Sequence, residues 1–103
     1  MKRGFLIILF LWLAVVGLLA QPQFMQYRYE NGALSSEGYL REGKPDGYWK
    51  TYYSNGQLKT EGNRKNFQLD STWNFYSEKG IIQKSIAYAE DRKNGIERIY
   101  DAE

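Results

Sequence analysis

The chain has 103 residues and neither cysteine nor histidine. This excludes disulfide staples, thiol nucleophiles, thiolate metal sites, a lipid-modified cysteine, and the residue that most often shuttles protons near neutral pH. The formal charge of +2 comes entirely from Lys2 and Arg3, and the rest of the chain balances twelve cations against twelve anions. It lacks the basic surface on which nucleic-acid binding depends.

The first twenty residues are unlike the others. Met1-Lys2-Arg3 is a basic head, Phe5 to Leu19 is apolar except for Gly17, and Ala20-Gln21-Pro22 ends the run. This is the pattern of a secretory signal peptide cut after Ala20. The alternative is an inner-membrane anchor formed by residues 5–20, slightly short of the ~20 apolar residues that span a bilayer comfortably. Either reading places residues 21–103 as one domain outside the cytoplasm, secreted or at the cell envelope, with membrane contact only through the N-terminal segment.

Past Ala20 the chain repeats every 24 residues without insertion. Tyr29-Glu30-Asn31-Gly32-Ala33-Leu34 aligns with Tyr53-Ser54-Asn55-Gly56-Gln57-Leu58 and with Ser77-Glu78-Lys79-Gly80-Ile81-Ile82. Ser36-Glu37-Gly38 aligns with Thr60-Glu61-Gly62, and Asp46-Gly47-Tyr48-Trp49 with Asp70-Ser71-Thr72-Trp73. Asn94-Gly95 follows in the third copy, and Tyr52, Tyr76 and Tyr100 share one position. The units run 29–52, 53–76 and 77–100. A fixed period of this length marks a stacked repeat, and about three copies is the minimum for neighbours to stabilise one another.

Each unit reads as two strands and two turns. Asn31-Gly32 and Asn55-Gly56 are strong hairpin signals, predicting positive φ at both central positions. Gly80 preserves the turn in the third copy. The second turn is predicted over Glu42 to Gly47, with Asp46 and Gly47 as its turn formers, and over Asn66 to Ser71 and Asp91 to Gly95. Between turns the residues are aromatic or alternate with period two. The expected product is an all-β, single-layer antiparallel meander of about seven strands, preceded by the hydrophobic N-terminal helix. Trp49, Trp73, Thr51, Phe75 and Tyr53 belong to one face, and Tyr52, Tyr76 and Tyr100 to the other. Gly38 and Gly62 stand mid-strand, where glycine normally costs stability, so a neighbouring ring is expected to lie flat over each. The third copy decays: Gly62 becomes Ile86, Glu61 becomes Ser85 and Trp73 becomes Glu97. Ile99 to Glu103 resembles the start of a fourth unit, which would leave an unpaired edge strand.

Tyr-x-Asn-Gly-x-Leu-x-x-Glu-Gly, followed by Gly-x-x-x-Gly and Trp-x-x-Tyr-Tyr, resembles the MORN repeat. More narrowly, it is similar to the bacterial variant found in secreted proteins and in proteins labelled as antitoxins. The likeness runs from Tyr29 to about Tyr100. It departs from the pattern at Phe67, in place of Gly43, and at Ser71, in place of Gly47, and it is weak after Ile82. The resemblance implies hairpins stacked into an elongated sheet, a scaffold for protein contacts or lipid head groups, and no catalytic residue. An antitoxin role sits badly with an export segment.

The candidate sites follow from the pattern. Glu37 and Glu61 stand two strands apart, roughly 10 Å, at the edge of the range for paired catalytic carboxylates. Pairing across the sheet with Lys50 is the simpler reading. Asp46, Asp70 and Asn94 are too sparse for calcium, which needs a dense oxygen shell, and read as turn caps. Lys59, Arg64, Lys65, Lys84 and Arg92 are too scattered for an anionic-lipid patch. The aromatic stripe of Tyr48, Trp49, Tyr52, Tyr53, Trp73, Phe75 and Tyr76 is the candidate binding surface, because tyrosine and tryptophan are enriched at interfaces. The expectation is a non-catalytic interaction or structural module without metal or cofactor. Its partner would be a protein, with edge-strand self-association as a further route. The alternative is an inhibitor of a partner toxin or hydrolase.

Overall fold

The structure is a computed structural model that describes residues 21–100. The predicted export segment and N-terminal helix lie outside the described residues. Seven strands follow one another: β1 (Gln23–Arg28), β2 (Leu34–Arg41), β3 (Lys44–Tyr52), β4 (Leu58–Lys65), β5 (Gln68–Tyr76), β6 (Ile82–Ala89) and β7 (Arg92–Ile99). They pair in chain order, each antiparallel to the next, in one sheet. An all-β meander of stacked hairpins is what period-two alternation between closely spaced turns dictates.

Two kinds of turn alternate, and each differs from the expectation. In the first, Gly32 N donates to Tyr29 O at 3.0 Å and Tyr29 N to Ala33 O at 2.8 Å. The same pair of bonds recurs at Tyr53–Gln57 and Ser77–Ile81. Only the glycines take positive φ here, +88° at Gly32, +92° at Gly56 and +83° at Gly80. Asn31 and Asn55 do not. Their carboxamides instead accept the amides of Ala33 and Gln57, each at 2.9 Å. An asparagine that caps a turn with its side chain has no need of the left-handed region.

The second turn is much shorter than the predicted Glu42 to Gly47. Arg41 already pairs with Lys44, Lys65 with Gln68, and Ala89 with Arg92. Only Glu42-Gly43, Asn66-Phe67 and Glu90-Asp91 make the loop, and all six residues have positive φ. These are the two-residue turns whose twist matches that of the strands they join. Pro45, Asp46 and Gly47 thus belong to β3. Gly47 marks a bulge rather than a turn. The pairing register slips between Gly38 and Leu40, between Glu61 and Asn63, and between Ile86 and Tyr88. Opposite these slips, Gly47, Ser71 and Gly95 have φ of +96°, +62° and +100°. Ser71 holds a glycine's conformation at a cost of roughly 1 kcal/mol.

The bulge completes the core. Trp49 and Trp73 are 8% and 7% exposed, low values for a single layer. The indole of Trp49 covers Gly38, and that of Trp73 covers Gly62. Each Nε1–H donates to a carbonyl at the slip, Tyr39 O at 2.8 Å and Asn63 O at 2.9 Å. Glycine provides the bare backbone, the bulge provides a carbonyl that needs a donor, and the indole satisfies both. Tyr27 stacks near Trp49, with centroids 6.5 Å apart, and Arg64 lies 5.9 Å from the Trp73 ring.

Neighbour pairing sets Met25, Gly38, Trp49 and Gly62 in one row, with Trp73, Ile86 and Glu97 on the same face. In the third unit Ile86 stands where Gly62 stood and is 3% exposed, the most buried apolar residue described. The glycine and the ring have been exchanged together: with Glu97 in the tryptophan's place, an isoleucine fills the volume from the neighbouring strand.

Candidate interaction surface

The opposite face is polar along its centre and aromatic along its flanks. Direct pairing lines up Gln26, Glu37, Lys50, Glu61, Asn74, Ser85 and Arg98, one residue from each strand. Lys50 therefore faces both glutamates, as the spacing predicts. The hydrogen bonds to those carboxylates come from elsewhere. Glu37 accepts from the Tyr52 hydroxyl and, at 3.0 Å, from Gln26 Nε2. Glu61 accepts from the hydroxyls of Tyr48 at 2.7 Å and Tyr76 at 2.5 Å. Tyrosine and glutamate thus form a bond that recurs 24 residues on. Ser85 ends it, donating instead to Asn74 Oδ1 at 2.7 Å.

This bonding keeps the carboxylates ionised. The Gln26 amide, then the Tyr52 hydroxyl, hold Glu37 below its ordinary value of 4.5. Tyr76 does the same for Glu61, against an opposing desolvation. The phenols move the other way, to about 12 for each of Tyr48, Tyr52 and Tyr76. Burial leads at Tyr48 and Tyr52, and the bond to Glu61 leads at Tyr76. The sign is fixed by linkage. A lowered carboxylate contributes stability above 4.5 that fades as pH falls through its folded value. A raised phenol contributes below its ordinary 10.0 and loses that contribution as pH climbs toward 12. Urea midpoints should thus hold level between about pH 5 and pH 9 and fall on both sides. Tyr76→Phe should flatten the acid limb relative to the parent chain, and an unchanged acid limb would contradict this assignment.

The aromatic candidates divide between the two faces. Trp49 and Trp73 are core, with both rings and indole N–H groups engaged within the sheet. Phe75 is half-buried on their face, 5.1 Å from the Lys84 ammonium. Tyr53 lies past the end of β3, where its hydroxyl donates to Tyr76 O at 2.8 Å. Tyr48, Tyr52 and Tyr76 line the polar row. Two rings that the sequence reading missed join them: Phe24 and Tyr39, meeting edge to face at 5.3 Å and exposed by 52% and 44%. With Glu37, Tyr48 and Lys50 they line a shallow cavity of about 160 Å³. The sequence signal for Phe24 was the 24-residue step that makes it the counterpart of Tyr48, whereas the counterpart of Tyr39 is Asn63 and gives none.

The turn residues also act between units. Asp46 caps no turn of its own. Its carboxylate accepts from Arg41 Nε at 2.9 Å and from the backbone amide of Phe67, in the next narrow turn, at 3.2 Å. The Arg41 bond holds its pKa down. The Arg41 guanidinium also lies 4.6 Å from the Phe67 ring. On the opposite edge, Tyr29 bonds to Tyr52 O, Asn31 reaches Ser54 O at 3.4 Å, and Asn55 reaches Glu78 O at 3.0 Å. Among the described residues, no three Asp or Glu side chains converge as a metal site would require.

Neither curated proteins nor solved structures match this chain. A family model described as a MORN repeat variant does match, over residues 45–66. That stretch carries the bulge at Gly47, Trp49, the Asn55-Gly56 turn and the Glu61-Gly62 pair. At the level of the repeat, the chain is an all-β module similar to this variant.

Proposed function

We propose that the chain is a secreted or cell-envelope scaffold that holds a protein partner on its tyrosine-lined face. The observation that carries the reading is the exposure of Phe24, Tyr39 and Tyr48 beside a row of ionised and amide side chains. Exposed rings next to satisfied polar groups suit a protein interface, where aromatic anchors supply area and a polar surround supplies register. The hydroxyls of Tyr52 and Tyr76 hold their carboxylates in place, so the face meets a partner preorganised.

The test is affinity capture with the full chain from detergent-solubilised envelope extract, followed by mass spectrometry. A partner captured by the parent chain should be lost from the Phe24→Ser/Tyr39→Ser double variant. Recovery of no protein above controls would overturn the reading. Recovery of an exported toxin or hydrolase would make the module an inhibitor.

A further inference from the structure

The two edges of the sheet are not alike. β7 is exposed along its length, but it carries Arg92, Lys93, Glu97 and Arg98 and is bent by the bulge at Gly95. Charges and bulges are the devices by which natural sheets prevent edge pairing. β1 is equally exposed and has them only at its last residue. It reads Gln23-Phe24-Met25-Gln26-Tyr27-Arg28, with one charge, at its end, and no internal slip before Tyr27. Phe24, Met25 and Tyr27 are 52%, 37% and 44% exposed. Among the described residues, the β7 edge is protected and the β1 edge is open from Gln23 to Tyr27.

We propose that β1 pairs with β1 of a second copy of this chain across a two-fold axis at Gln26. Opposed residues in an antiparallel pair share a face, so only registers that match like faces are allowed. The two central choices place either Met25 or Gln26 on the axis. With Met25 there, Phe24 meets Gln26 and Gln23 meets Tyr27, setting rings against amides. With Gln26 on the axis, Met25 meets Tyr27 on the tryptophan face, a favourable sulfur–aromatic contact. On the polar face Phe24 meets Arg28, a cation–π pair, and the two Gln26 carboxamides meet each other. The Met25–Tyr27 and Phe24–Arg28 contacts each occur twice and the Gln26 pair once, on the axis, as an isologous interface requires. Pairing with β7 instead would strip water from its four charges.

The proposal deepens the interaction reading but concerns the edge, whereas partner capture concerns the face. Because the chain has no native cysteine, a single introduced one reports the register directly. Gln26→Cys, Met25→Cys and Arg98→Cys are made in the full chain, held in detergent and mildly oxidised. Residues facing each other across two strands are within the Cα separation a disulfide accepts. Gln26→Cys should form covalent dimer at about tenfold the yield of the other two. Adding Met25→Lys to Gln26→Cys should abolish the dimer while far-UV circular dichroism stays that of the parent. Equal yields at all three positions would place the association elsewhere and overturn the proposal, as would a dimer favoured by Met25→Cys or the absence of any dimer. Absence of the dimer in Gln26→Cys with partner capture by the parent chain intact rejects the edge alone, and a Gln26→Cys dimer without partner capture rejects the face alone.

Discussion

Gly62→Ala should destabilise the chain by about 3 kcal/mol, the upper end of what overpacking usually costs. The expected sign is what makes the measurement decisive. Glycine inside a strand is ordinarily the weaker residue, and replacing it with alanine returns roughly 0.5–1 kcal/mol of conformational entropy. Here the Cβ would fall well inside 3 Å of Cγ, Cδ2 and Cε2 of Trp73. The indole cannot move away without breaking its 2.9 Å bond to Asn63 O, which would leave a part-buried donor and acceptor unpaired. Gly38→Ala should behave in the same way against Trp49. Trp73→Phe removes both the larger ring and the N–H, so combining it with Gly62→Ala should recover part of the loss. Urea unfolding followed by circular dichroism reads all of these. A neutral or stabilising Gly62→Ala would mean that the indole does not lie on the backbone as described. Against a net stability of roughly 5–15 kcal/mol for a domain, 3 kcal/mol is a large fraction.

The second large effect is a coupling. Ile86→Gly should cost about 4 kcal/mol, because it empties the most buried apolar position and leaves a cavity beside Trp73. Glu97→Trp alone should also destabilise, since the new indole would meet the Ile86 side chain that faces it in the ladder. Together they rebuild the pattern of the first two units. A glycine at 86 would lie beneath the indole at 97, and Ala87 O occupies the place of Asn63 O. The double variant should be more stable than the sum of the single changes by about 2 kcal/mol. An additive result would show that the third unit has lost more than this pair.

Much of this architecture is legible in the residues, because a repeat turns single observations into aligned ones. The recurrence of Gly38 with Trp49, and of Gly62 with Trp73, is enough to anticipate rings over bare backbone. The alternation of Tyr52 and Tyr76 against the tryptophans assigns the two faces. Three features resist such reading. Asn-Gly suggests two left-handed residues, but the carboxamides of Asn31 and Asn55 offer a cap that competes with that geometry. Gly43 through Gly47 reads as one loop because glycine and proline mark both turns and bulges, and only the pairing of Pro45 with Leu40 shows that the strand resumes at once. Glu37 and Glu61 suggest Lys50 because opposite charges attract. Yet the acceptor geometry is taken by phenols fifteen residues further on, a spacing that appears twice in the chain and was readable as such.

The bonds that tie each wide turn to the next have a consequence for how such a chain can change in length. Tyr29 and Asn31 reach forward to the second turn, and Tyr53 and Asn55 reach forward to the third. Every acceptor in this relay is a backbone carbonyl, which any residue supplies. As far as these bonds are concerned, a unit can therefore be duplicated or deleted in steps of 24 residues with no matching substitution in its neighbour. The relay stops at the third turn, where Ser77 and Lys79 replace the tyrosine and the asparagine, and Ser77 Oγ accepts amides of its own turn instead. Genes for such modules can grow or shrink by copying inside the array.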